Sequence, residues 1–204
     1  MFREWLGHMI SMEDAFEVCG EADNIRDALT MIKEKQPDIA IVDITLRGGS
    51  SGLELIKDLK AHGITIPVLV LSMHDEELYA ERVLRAGAKG YITKHEASST
   101  LVKAIRQVLS GQVYLGEKMT AAILGKMTGH KSSSASGLES LADRELEVFQ
   151  LIGKGYNARE IANQLHLGET TIDTYRARIK EKLRLRNAAE LYSRAAQWLR
   201  DHGE

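Results

Sequence analysis

The stretch Pro37-Asp38-Ile39-Ala40-Ile41-Val42-Asp43-Ile44 decides the fold. Four apolar residues run without interruption into an aspartate, just behind a proline whose missing N–H costs little at a strand start. An unbroken apolar run of this length marks a strand covered on both faces, as parallel sheets require. Val68–Met73 repeats the pattern behind Pro67, the chain's other proline. Phe16–Gly20 and Gly90–Thr93 are the remaining strand candidates. Helical patterns fall between them at Asn24–Lys35, Gly52–Ala61, Glu76–Ala86 and Ser98–Ser110. Ile25, Ala28, Leu29 and Ile32 form one helical stripe, and Leu101, Ala104, Ile105 and Val108 another. Strand and helix in alternation predict an α/β fold, a doubly wound parallel sheet with helices on both faces.

The pattern changes at Gly129-His130-Lys131-Ser132-Ser133-Ser134-Ala135-Ser136-Gly137, where four serines and two glycines bury almost nothing. A helix at about Glu117–Met127 leads into this linker. Beyond it only helical patterns remain, at Asp143–Lys154, Ala158–Leu165, Thr170–Leu183 and Ala188–Asp201. Asn157 with Glu160, and Asn187 with Glu190, have the spacing of a capping box. The expected organisation is an α/β domain over residues 1–112, a linker helix and Ser/Gly-rich linker over 113–137, and a small all-α four-helix domain over 138–204.

The composition is that of an ordinary globular chain: 204 residues, 44% hydrophobic, with 27 Lys+Arg against 29 Asp+Glu. The single cysteine, Cys19, forms no internal disulfide and no cysteine-rich zinc site. No apolar run approaches the roughly 18 residues of a spanning helix, and the start lacks a signal peptide's apolar core. The expectation is a cytoplasmic protein with no membrane partner.

Three chemically distinct groups converge on one edge of the predicted sheet. Asp43 ends the first apolar strand, Ser72 the next, and Lys94 the Gly90-Tyr91-Ile92-Thr93-Lys94 run. Ligands of open α/β sheets bind outside the carboxyl ends of the strands. A carboxylate there attacks a phosphoryl group, and a hydroxyl and an ammonium hold the phosphoryl oxygens. Gly48-Gly49-Ser50-Ser51-Gly52 lacks the Gly-Lys-Ser/Thr ending of a phosphate-binding loop and reads as a loop beside Asp43. The seven histidines show no metal-site spacing.

The four-helix part has uneven charge. Between Thr171 and Asn187 stand six cations, Arg176, Arg178, Lys180, Lys182, Arg184 and Arg186, against Asp173 and Glu181. A short capped helix precedes this one across a tight segment containing Gly168, which is helix-turn-helix spacing. The apolar stripe Ile172, Tyr175, Ile179 and Leu183 packs inward on Ile161 and Leu165. It leaves Asp173, Thr174, Ala177, Lys180 and Glu181 to face base edges. Arg178, Lys182, Arg184 and Arg186 stand at the margins, placed for phosphates. The last helix carries Leu191, Tyr192, Ala195, Ala196, Trp198 and Leu199, more apolar surface than four small helices need.

Over nearly its whole length the chain resembles bacterial two-component response regulators with a flavodoxin-like receiver and a LuxR-like, NarL/FixJ-type helix-turn-helix output domain. The receiver resemblance is carried by Pro37–Asp43, by Leu71-Ser72-Met73-His74-Asp75 and by Ala86-Gly87-Ala88-Lys89-Gly90-Tyr91-Ile92-Thr93-Lys94. Leu141–Phe149, Gly155–Ala162, Thr170-Thr171-Ile172 and Ile179–Leu183 carry that of the output domain. It implies that Asp43 is the phospho-acceptor, Lys94 the phosphate-binding lysine, Ser72 the switch hydroxyl and Tyr91 the switch aromatic. It implies base-facing roles for positions 173, 174 and 177, and dimerisation through the last helix, with Leu191, Tyr192, Ala195 and Trp198. The family opens with a strand ending in an acidic pair, followed by a segment like Met1-Phe2-Arg3-Glu4, and this sequence begins inside that segment. The resemblance thus implies an N-terminally incomplete receiver, whose missing strand would lie between Phe16–Gly20 and Ile39–Ile44. It also implies a weak Mg²⁺ site of Asp43 and the Thr45 carbonyl. The intact Ser72, Tyr91 and Lys94 favour a displaced start over a degenerate receiver. Family members often carry Thr where Ala142 stands and Ser where Gly168 stands, so two helix starts are expected to fray.

The expected function is phosphorylation-controlled transcription. A sensor histidine kinase phosphorylates Asp43, changes at Ser72 and Tyr91 alter the helices at 76–86 and 98–110, and a homodimer binds double-stranded DNA. The alternatives are a phosphate-independent DNA-binding regulator with a degenerate receiver and a small α/β enzyme fused to a helical domain. No nucleophile–base pair or cofactor loop beyond the Asp43 set supports an enzyme.

Overall fold

The computed structural model describes residues 2–44, 46, 51–73, 76–117, 119–121 and 137–202, with the side chains of 76–78, 80 and 202 excepted. Two compact units result, one of Met1–Leu46 and Gly52–Ala121, the other holding Ala122–Glu204.

The first unit runs α1 (Phe2–Ser11), α2 (Ile25–Lys35), β1 (Ala40–Asp43), α3 (Gly52–Ala61), β2 (Val68–Ser72), α4 (Glu76–Ala86), β3 (Gly90–Thr93) and α5 (Ala97–Leu109). Its sheet is parallel, ordered β1-β2-β3. Alternation along the strands gives it two apolar faces. On one, Leu69, Leu71 and Ile92 meet Ala97, Leu101, Ala104, Ile105 and Val108 of α5. On the other lie Val42, Val68 and Val70, with Gly52 of α3 set close against Val42. The chain beyond α5 returns along β3, where the Tyr91 N–H donates to Tyr114 O at 3.0 Å. Gly90 sits where a Cβ would lie 2.7 Å from the Leu69 side chain and 3.2 Å from Tyr114 O, so only glycine lets this return pack so close.

Two differences from the sequence reading concern the N-terminal side. Phe16–Gly20 is not a strand: Val18 is exposed, and no ladder forms there among the described residues. The physical reason is pairing. No described strand lies beside it, and a β-rich segment without a ladder partner has nowhere to place its N–H and C=O groups except water. The other difference is α1, which the sequence reading did not assign. Phe2, Trp5, Leu6, Met9 and Ile10 pack against the α5 cluster. Their i, i+3, i+4, i+7, i+8 spacing is the signal that finds it.

The second unit holds a 3₁₀ turn (Leu138–Ser140) and four helices, α6 (Asp143–Gly153), α7 (Ala158–Leu165), α8 (Glu169–Lys182) and α9 (Ala188–His202). Its core joins Leu146 and Phe149 of α6, Ile161 and Leu165 of α7, Ile172 and Ile179 of α8, and Leu191, Ala195 and Trp198 of α9. The Asn157 box closes fully: Asn157 Oδ1 accepts from the Glu160 N–H at 3.0 Å, and Glu160 Oε2 from the Asn157 N–H at 2.8 Å. The Asn187 box closes by half, because Glu190 reaches the Arg186 N–H instead. Ala142 and Gly168 offer no side-chain cap, yet both helices form. At the first, Glu145 Oε2 accepts the Ala142 N–H at 2.7 Å. The Ser/Gly-rich stretch at 129–136 and the linker helix beyond Ala121 lie outside the described residues.

Candidate functional site

The parallel register sets three strand ends side by side. Asp43 is level with Leu71, and Ser72 is level with Thr93. The Lys94 N–H donates to Ser72 O at 2.7 Å, which fixes the lysine at the same edge. Its Nζ then crosses the sheet end and donates to Asp43 Oδ2. The structure thus joins two groups 51 residues apart in the chain. Both are partly withdrawn from water, with side chains 15% and 31% exposed for Lys94 and Asp43. A charge-assisted bond of this kind fixes the orientation of the carboxylate at the strand end. Lys94 Nζ also lies 4.8 Å from the centre of the Phe2 ring, so α1 contributes to the lysine's surroundings. Ser72 and Tyr91 are fully buried, Ser72 at the β2 end and Tyr91 within β3.

Thr45, Gly48, Gly49, Ser50, His74 and Asp75 lie outside the described residues. Among the described residues, no three or more His, Cys, Asp or Glu side chains are grouped to hold a metal ion. Asp43, with one oxygen held by Lys94, does not by itself make a divalent-cation site.

Gly52 is a positioning residue that the sequence reading missed. Its N–H donates to Ile44 O at 2.8 Å. A Cβ built on it would lie 2.1 Å from Asp43 O and 2.9 Å from Asp43 C. The first turn of α3 therefore presses directly on the main chain of the aspartate. Gly52→Ala must push the β1 end or α3 aside. The expected cost is about 1–3 kcal/mol, as for overpacking elsewhere, read as a lowered urea midpoint of the first unit. An unchanged midpoint would show that the close approach is relaxed in solution.

On α8, Asp173, Thr174, Ala177 and Arg178 are exposed and Lys180 is half-buried. Thr174 Oγ1 donates back to Thr170 O at 2.9 Å. Arg178 has no ion-pair partner among the described residues. Lys182 is engaged: its Nζ donates at 2.7 Å to the same Glu145 Oε2 that caps α6, tying the end of α8 to the start of α6. Arg184 lies just past the helix with φ of 55° and is exposed. Arg176 is turned away from the outer face. Its Nη1 donates to Asp173 Oδ1 at 3.0 Å and its Nη2 to the Tyr192 hydroxyl at 2.7 Å.

Three of the four residues of the expected dimerisation set lie inside their own unit. Leu191 and Ala195 are fully buried and Trp198 is 6% exposed, its ring centre 6.2 Å from that of Phe149. Gly153 of α6 lies so close that a Cβ would meet Ala195 O at 2.7 Å. These side chains complete the core of their own unit. Tyr192, 38% exposed, remains on the surface.

Comparison with known proteins matches both units. Residues 1–106 match the model of the response regulator receiver domain, and residues 139–195 that of bacterial regulatory proteins, luxR family. The chain is similar to the oxygen regulatory protein NreC of Staphylococcus carnosus, 33% identical over 187 residues that cover 90% of this chain and 86% of that protein. With the transcriptional regulatory protein DesR of Bacillus subtilis it is 34% identical over 193 residues, 94% of this chain and 89% of that protein. In fold it resembles RcsB of Salmonella enterica serovar Typhimurium, solved bound to promoter rprA with the phosphomimetic BeF3-. The TM-score is 0.59 at 21% identity, covering 95% of this chain and 92% of that one.

Proposed function

The chain belongs to the bacterial response regulators that join a receiver domain to a LuxR-family DNA-binding domain, and from that premise we propose that it is a transcription factor switched by phosphorylation of Asp43. A sensor histidine kinase supplies the phosphoryl group. The Asp43 carboxylate forms the new O–P bond as the bond from phosphorus to the donor breaks. Lys94 then balances the added negative charge, and the Ser72 hydroxyl, at the end of the neighbouring strand β2, bonds a phosphoryl oxygen. The observation that carries this reading is the bond from Lys94 Nζ to Asp43 Oδ2, which spans the sheet edge from the end of β3 past β2 to the end of β1. Receiver domains use Mg²⁺ in phosphorylation, but among the described residues no cluster of acidic side chains forms a site for it.

The receiver spans residues 1–112, the linker 113–137 and the DNA-binding domain 138–204. Tyr91 is the internal reporter of the phosphoryl state. A homodimer is the form that occupies paired half-sites on double-stranded DNA. With three apolar residues of α9 committed to the core, Tyr192 and the exposed positions beside it carry the dimer contact. No helix among the described residues is long and apolar enough to cross a membrane, and the proposed place of action is the cytoplasm. The protein acts as a regulator, not as an enzyme.

DNA contact through α8 has a direct test. Affinity for duplex DNA should fall by about 0.9 log units per phosphate contact for each log unit of salt. Arg178→Ala should weaken binding to all sequences alike and lower that slope by about one. A titration that is flat in salt would overturn α8 as the DNA surface.

A further inference from the structure

Resting on the DNA-binding reading of α8, we propose that Arg176 and Tyr192 are positioning residues that set the base preference delivered through Asp173. Arg176 is one of six cations on this stretch, where phosphate contact is the ordinary expectation. Its geometry assigns it otherwise. The guanidinium is held on two sides, by the Asp173 carboxylate at 3.0 Å and the Tyr192 hydroxyl at 2.7 Å. It also lies 5.4 Å from the centre of the Tyr192 ring. The Arg176 side chain is 21% exposed, while that of Asp173 is 63% exposed.

An exposed ion pair within one helix is worth little, because two long side chains must be ordered to make it. Here the ordering is imposed from outside the helix. Tyr192 belongs to α9, and it fixes the arginine by a hydrogen bond and by ring contact together. The carboxylate of Asp173 is thereby held in one orientation on the outer face of α8. A carboxylate only accepts hydrogen bonds, and at a base edge in the major groove it takes one from the cytosine amino group. Near phosphates it is repelled, and the adjoining guanidinium offsets that charge. Arg176 thus allows an acidic side chain to stand in a negatively charged groove and gives it a fixed direction. The Tyr192 anchor is also the exposed member of the α9 set, which links the surface of α9 to the base-reading position.

The experiment selects preferred duplexes from a random-sequence pool with the full chain, then measures affinities for the selected duplex with single base pairs exchanged. Wild type should favour cytosine at one position per half-site. Arg176→Ala should cut the discrimination at that position by roughly tenfold, within the range of a single base-edge contact, and leave base preference at the other positions unchanged. Tyr192→Phe keeps the ring and removes only the hydroxyl, so it should move the same position in the same direction with the fold intact. In an Asp173→Ala background, Arg176→Ala should change base preference no further. Unchanged preference in both Arg176→Ala and Tyr192→Phe overturns the inference. So does a loss of affinity shared equally by all duplexes with the discrimination at that position intact, which marks Arg176 as a phosphate contact, or a further change of preference in the Asp173→Ala background. A wild-type chain that shows no salt-sensitive duplex binding overturns the DNA-binding reading itself, and the inference falls with it.

Discussion

Asp43→Asn abolishes the transfer of phosphate from a small phosphodonor such as acetyl phosphate, read as loss of the added phosphoryl mass on the intact chain. The two side chains have nearly the same shape. An amide oxygen in place of Oδ2 still accepts from Lys94 Nζ, so the bond across the sheet end survives in weaker, uncharged form. What disappears is the nucleophile, because a neutral amide does not attack phosphorus as a carboxylate does. The effect is therefore loss of labelling with retention of fold, and the helical signal of the variant should match that of the wild type. Labelling that persists on the variant would place the acceptor elsewhere.

The second large effect falls on the DNA-binding unit. Trp198→Ala removes a side chain that is 6% exposed and set against Phe149 at 6.2 Å between ring centres. Truncation of a buried aromatic costs about 3–5 kcal/mol, a large part of the stability of a domain this small. The second unit should unfold at much lower urea, and duplex binding should be lost with it, since α7 and α8 share the core that Trp198 fills. A dimer residue would behave differently. Its truncation would shift the monomer–dimer equilibrium and leave the urea midpoint of the monomer in place, and that outcome would return Trp198 to the surface of α9.

The difference between these two cases shows what a sequence carries. Asp43, Ser72 and Lys94 were legible because each follows an apolar run, and in a parallel sheet the ends of such runs fall on one edge. Gly52–Ala61, Glu76–Ala86 and Ala158–Leu165 end where their periodicity and caps end. Trp198 is open to two readings in the sequence, because periodicity identifies an apolar face without identifying what covers it. A partner helix and the domain's own α6 produce the same stripe. Phe16–Gly20 failed for a related reason: β-rich composition describes a segment, whereas a strand is a property of a pair. Arg176 was read as one cation in a run because its deciding contact, Tyr192, stands 16 residues away on another helix. Gly52 escaped notice because its role is the absence of a side chain beside the Asp43 main chain, and no spacing rule records that.

The central claim is that phosphate on the Asp43 edge controls the DNA-binding unit. The most direct measurement is the affinity of the full chain for its selected duplex, with and without a small phosphodonor, for wild type and Asp43→Asn side by side. Tighter binding is expected in the treated wild type alone, with the other three samples equal and weaker. Equal affinity in all four would contradict it and describe a DNA-binding protein indifferent to phosphate.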